Sequence, residues 1–208
     1  MSDRLTVLDA AFDRAVAYRR ELTARRCSPE KSYREMLEVF DEPLPESGQD
    51  EVAVINDLAC RGEQGLTQTA HPRFFGWVLG GSAPVGVAAD WLVSAWGQNA
   101  AFHESSPTAA AVEEVAGKWL LEILDLPRDA AVGFVTGGTV ANFTALAAAR
   151  GAVLRRHGWD PDNDGLFGAP PLTVFFGDDA HTSVLSALGY LGLGRNRVRR
   201  VRTDREGR

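Results

Sequence analysis

The stretch FVTGGTVANFTALAAARGAVL, Phe134–Leu154, decides the fold. It begins apolar, breaks at Thr136-Gly137-Gly138-Thr139, and continues as an alanine-rich run with helical character. A strand, a tight glycine turn and a helix start bring unpaired backbone N–H groups to one point, where they and the helix dipole attract an anion. Gly137 and Gly138 let a ligand approach the backbone because no Cβ intrudes, and Thr139 either caps the helix or offers its hydroxyl to a phosphate oxygen. The turn is neither a Walker loop nor GxGxxG. Taken alone, it is equally a plain strand-to-helix connection with a threonine cap.

Around this turn the chain alternates. AVGFV (131–135) reads as a strand leading into it, and a helix runs from Thr139 to about His157. LTVFFG (172–177) reads as a buried strand, HTSVLSALGYLGLG (181–194) as a helix ending at glycine, and VRRVRT (198–203) as another strand. Strand, helix, strand, helix, strand implies an α/β fold with a parallel sheet covered by helices. FFGDDAHTSV (175–184) puts His181 just past a strand, at the next helix start. Ligands of parallel sheets sit at the carboxyl ends of strands, so the glycine turn and His181 can serve one ligand. The alternative for His181 is a local hydrogen-bonding role at the helix start.

Upstream of the turn the chain is helical. Residues 4–24 form an amphipathic helix, Ser28-Pro29-Glu30 opens a second, DEPLPESGQD (41–50) is a linker, and a third helix covers about 50–63. HPRFFGWVLGGSAPVG (71–86) is aromatic and glycine-rich without periodicity, and reads as a buried loop. VAADWLVSAWGQNAAF (87–102) is helical, and Ser106-Pro107-Thr108 opens a long helix that ends at Leu126-Pro127.

Composition bounds the function. The chain has 208 residues, 45% hydrophobic and 24% charged, the balance of a globular protein. A net charge of -6 argues against general nucleic-acid binding, and the arginine-rich end RNRVRRVRTDREGR (195–208) suits an edge strand. Cys27 and Cys60 form no CxxC pattern, and His71, His103, His157 and His181 show no metal-ligand spacing, so no metal site is expected. The N-terminal stretch lacks an apolar signal core and no run is long enough to cross a membrane, so a cytoplasmic location is expected.

Several blocks, in order, resemble the pyridoxal-5'-phosphate-dependent group II amino-acid decarboxylases, the family of aromatic-amino-acid and glutamate decarboxylases. They are DEPLPESG with the preceding helices, HPRFFGWV, the run from Ala89 to Pro127, GFVTGGTVANFTALAAAR and DDAHTSV. The resemblance implies an aspartate-aminotransferase-like type I fold with an N-terminal helical segment: residues 1–65 as a dimerisation arm and 66–208 as the first part of the large cofactor-binding domain. It implies a homodimer, pyridoxal phosphate as cofactor, and decarboxylation of an amino acid, with an aromatic L-amino acid favoured.

By the same resemblance, Gly137, Gly138 and Thr139 match the phosphate cup, and His181 matches the catalytic histidine that stacks on the pyridine ring. Phe74, Phe75 and Trp77 match an aromatic segment lining the substrate pocket, and Asn99 to His103, including Phe102, fall where the family brings residues toward the substrate. Many members carry glutamate where this chain has Val140, and the SPxxTELE-like helix start is SPTAAAVEE here. In the family the aspartate that pairs with the pyridine nitrogen and the Schiff-base lysine both lie beyond His181. Lys31 and Lys118, the lysines of this chain, match neither. The chain is therefore expected to be an N-terminal part, inactive by itself. The other readings are a different type I enzyme such as an aminotransferase, and an inactive dimerisation module.

Overall fold

The structure is a computed structural model that describes residues 5–207. They fall into two compact units, Met1–Gly97 and Gln98–Arg208. The first includes the helix that follows the aromatic loop.

In the first unit α1 spans Thr6–Glu21 and continues as a 3-10 turn over Leu22–Ala24. It packs on α3, Glu51–Gly62, with Arg14 Nε donating to Asn56 Oδ1 at 2.8 Å. Asp50 caps α3 by accepting from the Ala53 amide at 2.9 Å. α4 spans Pro84–Trp96, with proline in the first turn where no N–H is needed, and stops at Gly97 in the left-handed region, φ 57°. Phe12 of α1 meets Trp91 of α4 edge to face, with ring centroids 5.6 Å apart.

The second helix starts later than the sequence suggests. α2 spans Tyr33–Phe40, and Ser32 rather than Ser28 is its cap. Ser32 and Glu35 form a reciprocal capping box, which satisfies two first-turn donors. The amides of Glu30 and Lys31 are spent on the Gln64 carbonyl, at 2.9 and 3.1 Å, which holds Pro29 and its neighbours outside the helix.

The second unit contains α5, Pro107–Ile123; α6, Gly138–Arg156; β1, Phe175–Gly177; α7, Thr182–Tyr190; and β2, Arg199–Val201. β1 and β2 pair in parallel, Phe175 opposite Arg199 and Gly177 opposite Val201, with α7 as the crossover. Both strands are shorter than the sequence pattern suggests. Phe176 is buried under the sheet but Phe175 is 71% exposed, so β1 is covered on one face only. AVGFV is no strand among the described residues: it runs without a ladder partner, and an extended segment becomes a strand only by pairing.

The core of this unit lies between α6 and α7. Leu154, Ala187 and Leu188 are fully buried, with Leu191 and Phe176 nearly so. Each such leucine contributes about 1.5–3 kcal/mol by leaving water. Arg150 Nη1 donates to the Leu191 carbonyl at 2.9 Å and ties the end of α7 to α6.

Candidate functional site

Gly137 is the N-cap of α6, so Gly138, Thr139 and Val140 form its first turn. The first amide with a helical acceptor is that of Ala141, which donates to the Gly137 carbonyl at 3.0 Å. The three amides before it have no acceptor four residues back, and no side chain caps them. No acidic residue stands in the first turn, while Arg155 and Arg156 occupy the last. Val140 brings no carboxylate to this turn. With valine, the positive end of the dipole stays uncompensated.

The two glycines are not demanded by the chain itself. Gly137 has φ 168°, extended backbone open to any residue, and Gly138 is helical. A Cβ built on either would meet no protein atom within 4 Å. The space beside both glycines is open, so a group could approach this backbone closely.

His181 is the N-cap of α7, immediately after β1 and Asp178-Asp179-Ala180. Its Nδ1 accepts from the Ser183 amide at 3.2 Å and lies 2.8 Å from Ser183 Oγ. The local hydrogen-bonding role open from sequence is therefore present. It also reaches further: Asn142 Nδ2 of α6 donates to Ser183 Oγ at 2.9 Å. The starts of α6 and α7, which carry the glycine turn and the histidine, are thus joined by side chains. Beneath them, Arg200 of β2 reaches Asp178 at 3.3 Å, Thr203 bonds Asp179, and the Asp178 amide donates to the Val201 carbonyl at 3.1 Å, fixing the carboxyl ends of both strands.

The aromatic residues sit differently. Phe102 and His103 are exposed in the loop between α4 and α5 and line a groove of about 710 Å³ with Pro107, Glu114, Lys118 and Phe134. Neither the glycine turn nor His181 lines this groove. Asn99 holds the same loop, its Oδ1 accepting from the Ala101 amide and its carbonyl from Ser105 Oγ, both at 3.0 Å. Lys118 is exposed and paired with Glu114 one turn back at 2.5 Å, a surface role.

Phe74 and Trp77 belong to the first unit. The 71–86 loop is not the buried aromatic loop its composition suggests: Phe74 is half-buried, but Phe75 is 91% and Trp77 80% exposed. Its anchor is His71, which is buried, accepts from the Arg73 amide at 2.9 Å, and faces Cys27 Sγ at 3.3 Å. Trp77 and Val78 both adopt positive φ, 53° and 55°, so the loop presents Trp77 on strained backbone.

Asn142 and Ser183 are the site residues that pattern reading misses. The available signal was the serine two positions after a helix-capping histidine, where an N-cap side chain finds its amide. Nothing in the spacing of Asn142 announces its partner 41 residues away. Among the described residues no group of three or more His, Cys, Asp or Glu could hold a metal ion, and no helix is long and apolar enough to cross a membrane.

Comparison with known proteins places the chain in a family. Residues 33–208 match the pyridoxal-dependent decarboxylase conserved domain. The aromatic-L-amino-acid decarboxylase of Bacillus atrophaeus is 33% identical over 163 residues, 78% of this chain and 32% of the relative. An acidic amino acid decarboxylase of Xenopus tropicalis is 32% identical over 143 residues, 68% of this chain and 27% of the relative. The chain thus spans about a third of the length of the curated relatives it matches. Among solved structures, mouse CSAD superposes with TM-score 0.86 at 25% identity, over 98% of this chain and 42% of that one. Oryza sativa TDC, solved with PLP, superposes with TM-score 0.80 at 25% identity, over 97% of this chain and 44% of that one. These matches lead to one conclusion: the chain belongs to the pyridoxal-dependent decarboxylase family, whose cofactor is pyridoxal phosphate.

Proposed function

We propose that this chain supplies the phosphate cup and the ring-facing histidine of an amino-acid carboxy-lyase with the type I fold. The observation that carries the reading is the first turn of α6: three unspent amides, no acidic residue, and two glycines with open space beside them. The residues fit the cofactor. The amides of Gly138, Thr139 and Val140 would hold its phosphate, with the Thr139 hydroxyl as a further donor. His181, joined to the same turn through Ser183 and Asn142, would face its ring. When bound, pyridoxal phosphate supplies the electron sink for loss of carbon dioxide.

The substrate proposed is an aromatic L-amino acid. Relatives include an aromatic-L-amino-acid decarboxylase and a tryptophan decarboxylase, and Trp77 and Phe102 are exposed aromatic surfaces suited to contacting a ring. Lys118, ion-paired on the face of α5, is not proposed as the lysine that holds the cofactor aldehyde. The 208-residue chain by itself is proposed to bind cofactor without turning over. Residues 1–65 are proposed to pack in a homodimer, since Leu8, Phe12, Leu37 and Leu58 are substantially exposed on their helices.

The test is titration with pyridoxal phosphate and, separately, with pyridoxal. The expected result is saturable binding of the phosphate ester, weakened at least tenfold in Gly138→Val and at least tenfold weaker for pyridoxal. Equal binding of the two compounds, or unchanged affinity in the variant, contradicts the cup. In the functioning enzyme, faster carbon dioxide release from L-glutamate than from L-tryptophan or L-phenylalanine contradicts the aromatic assignment.

A further inference from the structure

The hydrogen bonds around His181 have a direction, and it determines where the ring keeps its proton. The Ser183 amide can only donate, so Nδ1 accepts from it at 3.2 Å. The Asn142 side-chain amide nitrogen can also only donate, so Ser183 Oγ accepts from it at 2.9 Å. The single hydroxyl hydrogen of Ser183 is then free to point at Nδ1, 2.8 Å away. The amide hydrogen of Ser183 already occupies the Nδ1 lone pair, so neither the Nδ1–H tautomer nor the imidazolium fits this arrangement, and the hydroxyl, which can donate or accept, takes the donor role toward Nδ1.

We propose that Asn142 and Ser183 are positioning residues that hold His181 as the neutral imidazole with its proton on Nε2. The chemical consequence rests on the reading that His181 faces the cofactor. A neutral ring does not repel a cationic pyridine ring, as an imidazolium would. It presents Nε2–H as a hydrogen-bond donor to an acceptor oxygen of cofactor or substrate, such as a carboxylate. It is not placed to act as a general acid: with Nδ1 taken by the Ser183 amide hydrogen, the ring carries no second proton to give. The proton delivered after loss of carbon dioxide must therefore come from another group, and His181 orients.

The experiment is long-range proton–nitrogen correlation NMR of the 208-residue chain with ¹⁵N-labelled histidine at neutral pH, His181 being assigned through His181→Gln. The expected spectrum has a pyridine-like, unprotonated Nδ1 and a pyrrole-like, protonated Nε2. Asn142→Asp is nearly isosteric but turns the donor into an acceptor. The Ser183 hydroxyl then points at the carboxylate, and the Nδ1 signal is expected to move toward the protonated signature. Ser183→Ala removes one of the two donors and is expected to move it part of the way, with Ser183→Thr restoring it. Should Asn142→Asp fail to fold, the alanine and threonine variants carry the same comparison. A protonated Nδ1 in the unsubstituted chain overturns the proposal, as does an unchanged His181 signature in folded Asn142→Asp and Ser183→Ala. The expected signatures, with no shift at the Gly138–Val140 amides on adding pyridoxal phosphate, support the relay and overturn the phosphate-cup reading.

Discussion

Asn142 on α6 donates to Ser183 Oγ on α7 at 2.9 Å, joining residues 41 apart in sequence. This contact couples the helix start that carries the glycine turn to the one that carries His181. It is half-buried, so its loss is felt in stability as well as in the histidine. Asn142→Ala is expected to lower the unfolding free energy by about 1 kcal/mol, the net worth of one such bond. Chemical denaturation checks it, and an unchanged midpoint would show that α6 and α7 do not depend on the link.

The apolar core between α6 and α7 is worth more. Leu154 and Leu188 are fully buried where α6 meets α7. Leu154→Ala is expected to cost about 2–5 kcal/mol, because a side chain is lost and a cavity remains. Thermal unfolding followed by circular dichroism reads the loss. A cost below about 1 kcal/mol would contradict the placement of this core.

The aromatic loop offers a gain. Val78 is a β-branched residue at φ 55°, where glycine is at ease. Val78→Gly is expected to raise stability by about 1 kcal/mol through relief of that strain. A lower melting temperature in this variant would mean that Trp77 and Val78 do not hold positive φ in solution.

At the start of α2, the Ser32 hydroxyl and amide both bond Glu35, at 2.6 and 2.7 Å, and hold its carboxyl below the ordinary glutamate range. A carboxylate lowered in the folded state adds stability that is present above the unfolded value and lost as pH falls through the folded one. The part of the Ser32 contribution that runs through the Glu35 carboxylate is thus expected at neutral pH and lost in strong acid, while the cap on the Glu35 amide remains. Carboxyl NMR titration should show Glu35 moving up toward the ordinary range in Ser32→Ala without reaching it, because the amide at position 32 still donates to the carboxylate. An unaltered titration in that variant would remove Ser32 as the cause.

The legible parts of the sequence were those governed by local rules. Ser106-Pro107 marks the start of α5 to the residue and the helix read over about 50–63 is α3, whereas the helix read over 87–102 begins inside α4 and runs past Gly97, where α4 stops. The Gly137-Gly138-Thr139 turn and the helix after it were legible for the same reason, and the order of β1, α7 and β2 followed from apolar runs separated by turn residues. What was not legible depended on partners distant in sequence. AVGFV has a strand's composition but finds no ladder partner among the described residues, and composition carries no such information. Ser28-Pro29 looks like a helix start, yet Gln64 takes the amides that follow it. The aromatics of 71–86 look like core, but Phe75 and Trp77 face outward on strained backbone, which hydrophobicity alone does not foretell.

The account stands on the first turn of α6 as an anion cup, and one measurement addresses it directly. Backbone amide NMR of the chain during titration with pyridoxal phosphate, with pyridoxal as control, reports on Gly138, Thr139 and Val140 individually. The account predicts large shifts at these three amides with the phosphate ester, absent with pyridoxal and abolished in Gly138→Val. Because a Cβ at Gly138 meets no protein atom within 4 Å, that variant should remain folded, so lost shifts would report the ligand and not the fold. Shifts that map elsewhere on the chain, or that appear equally with pyridoxal, would contradict it.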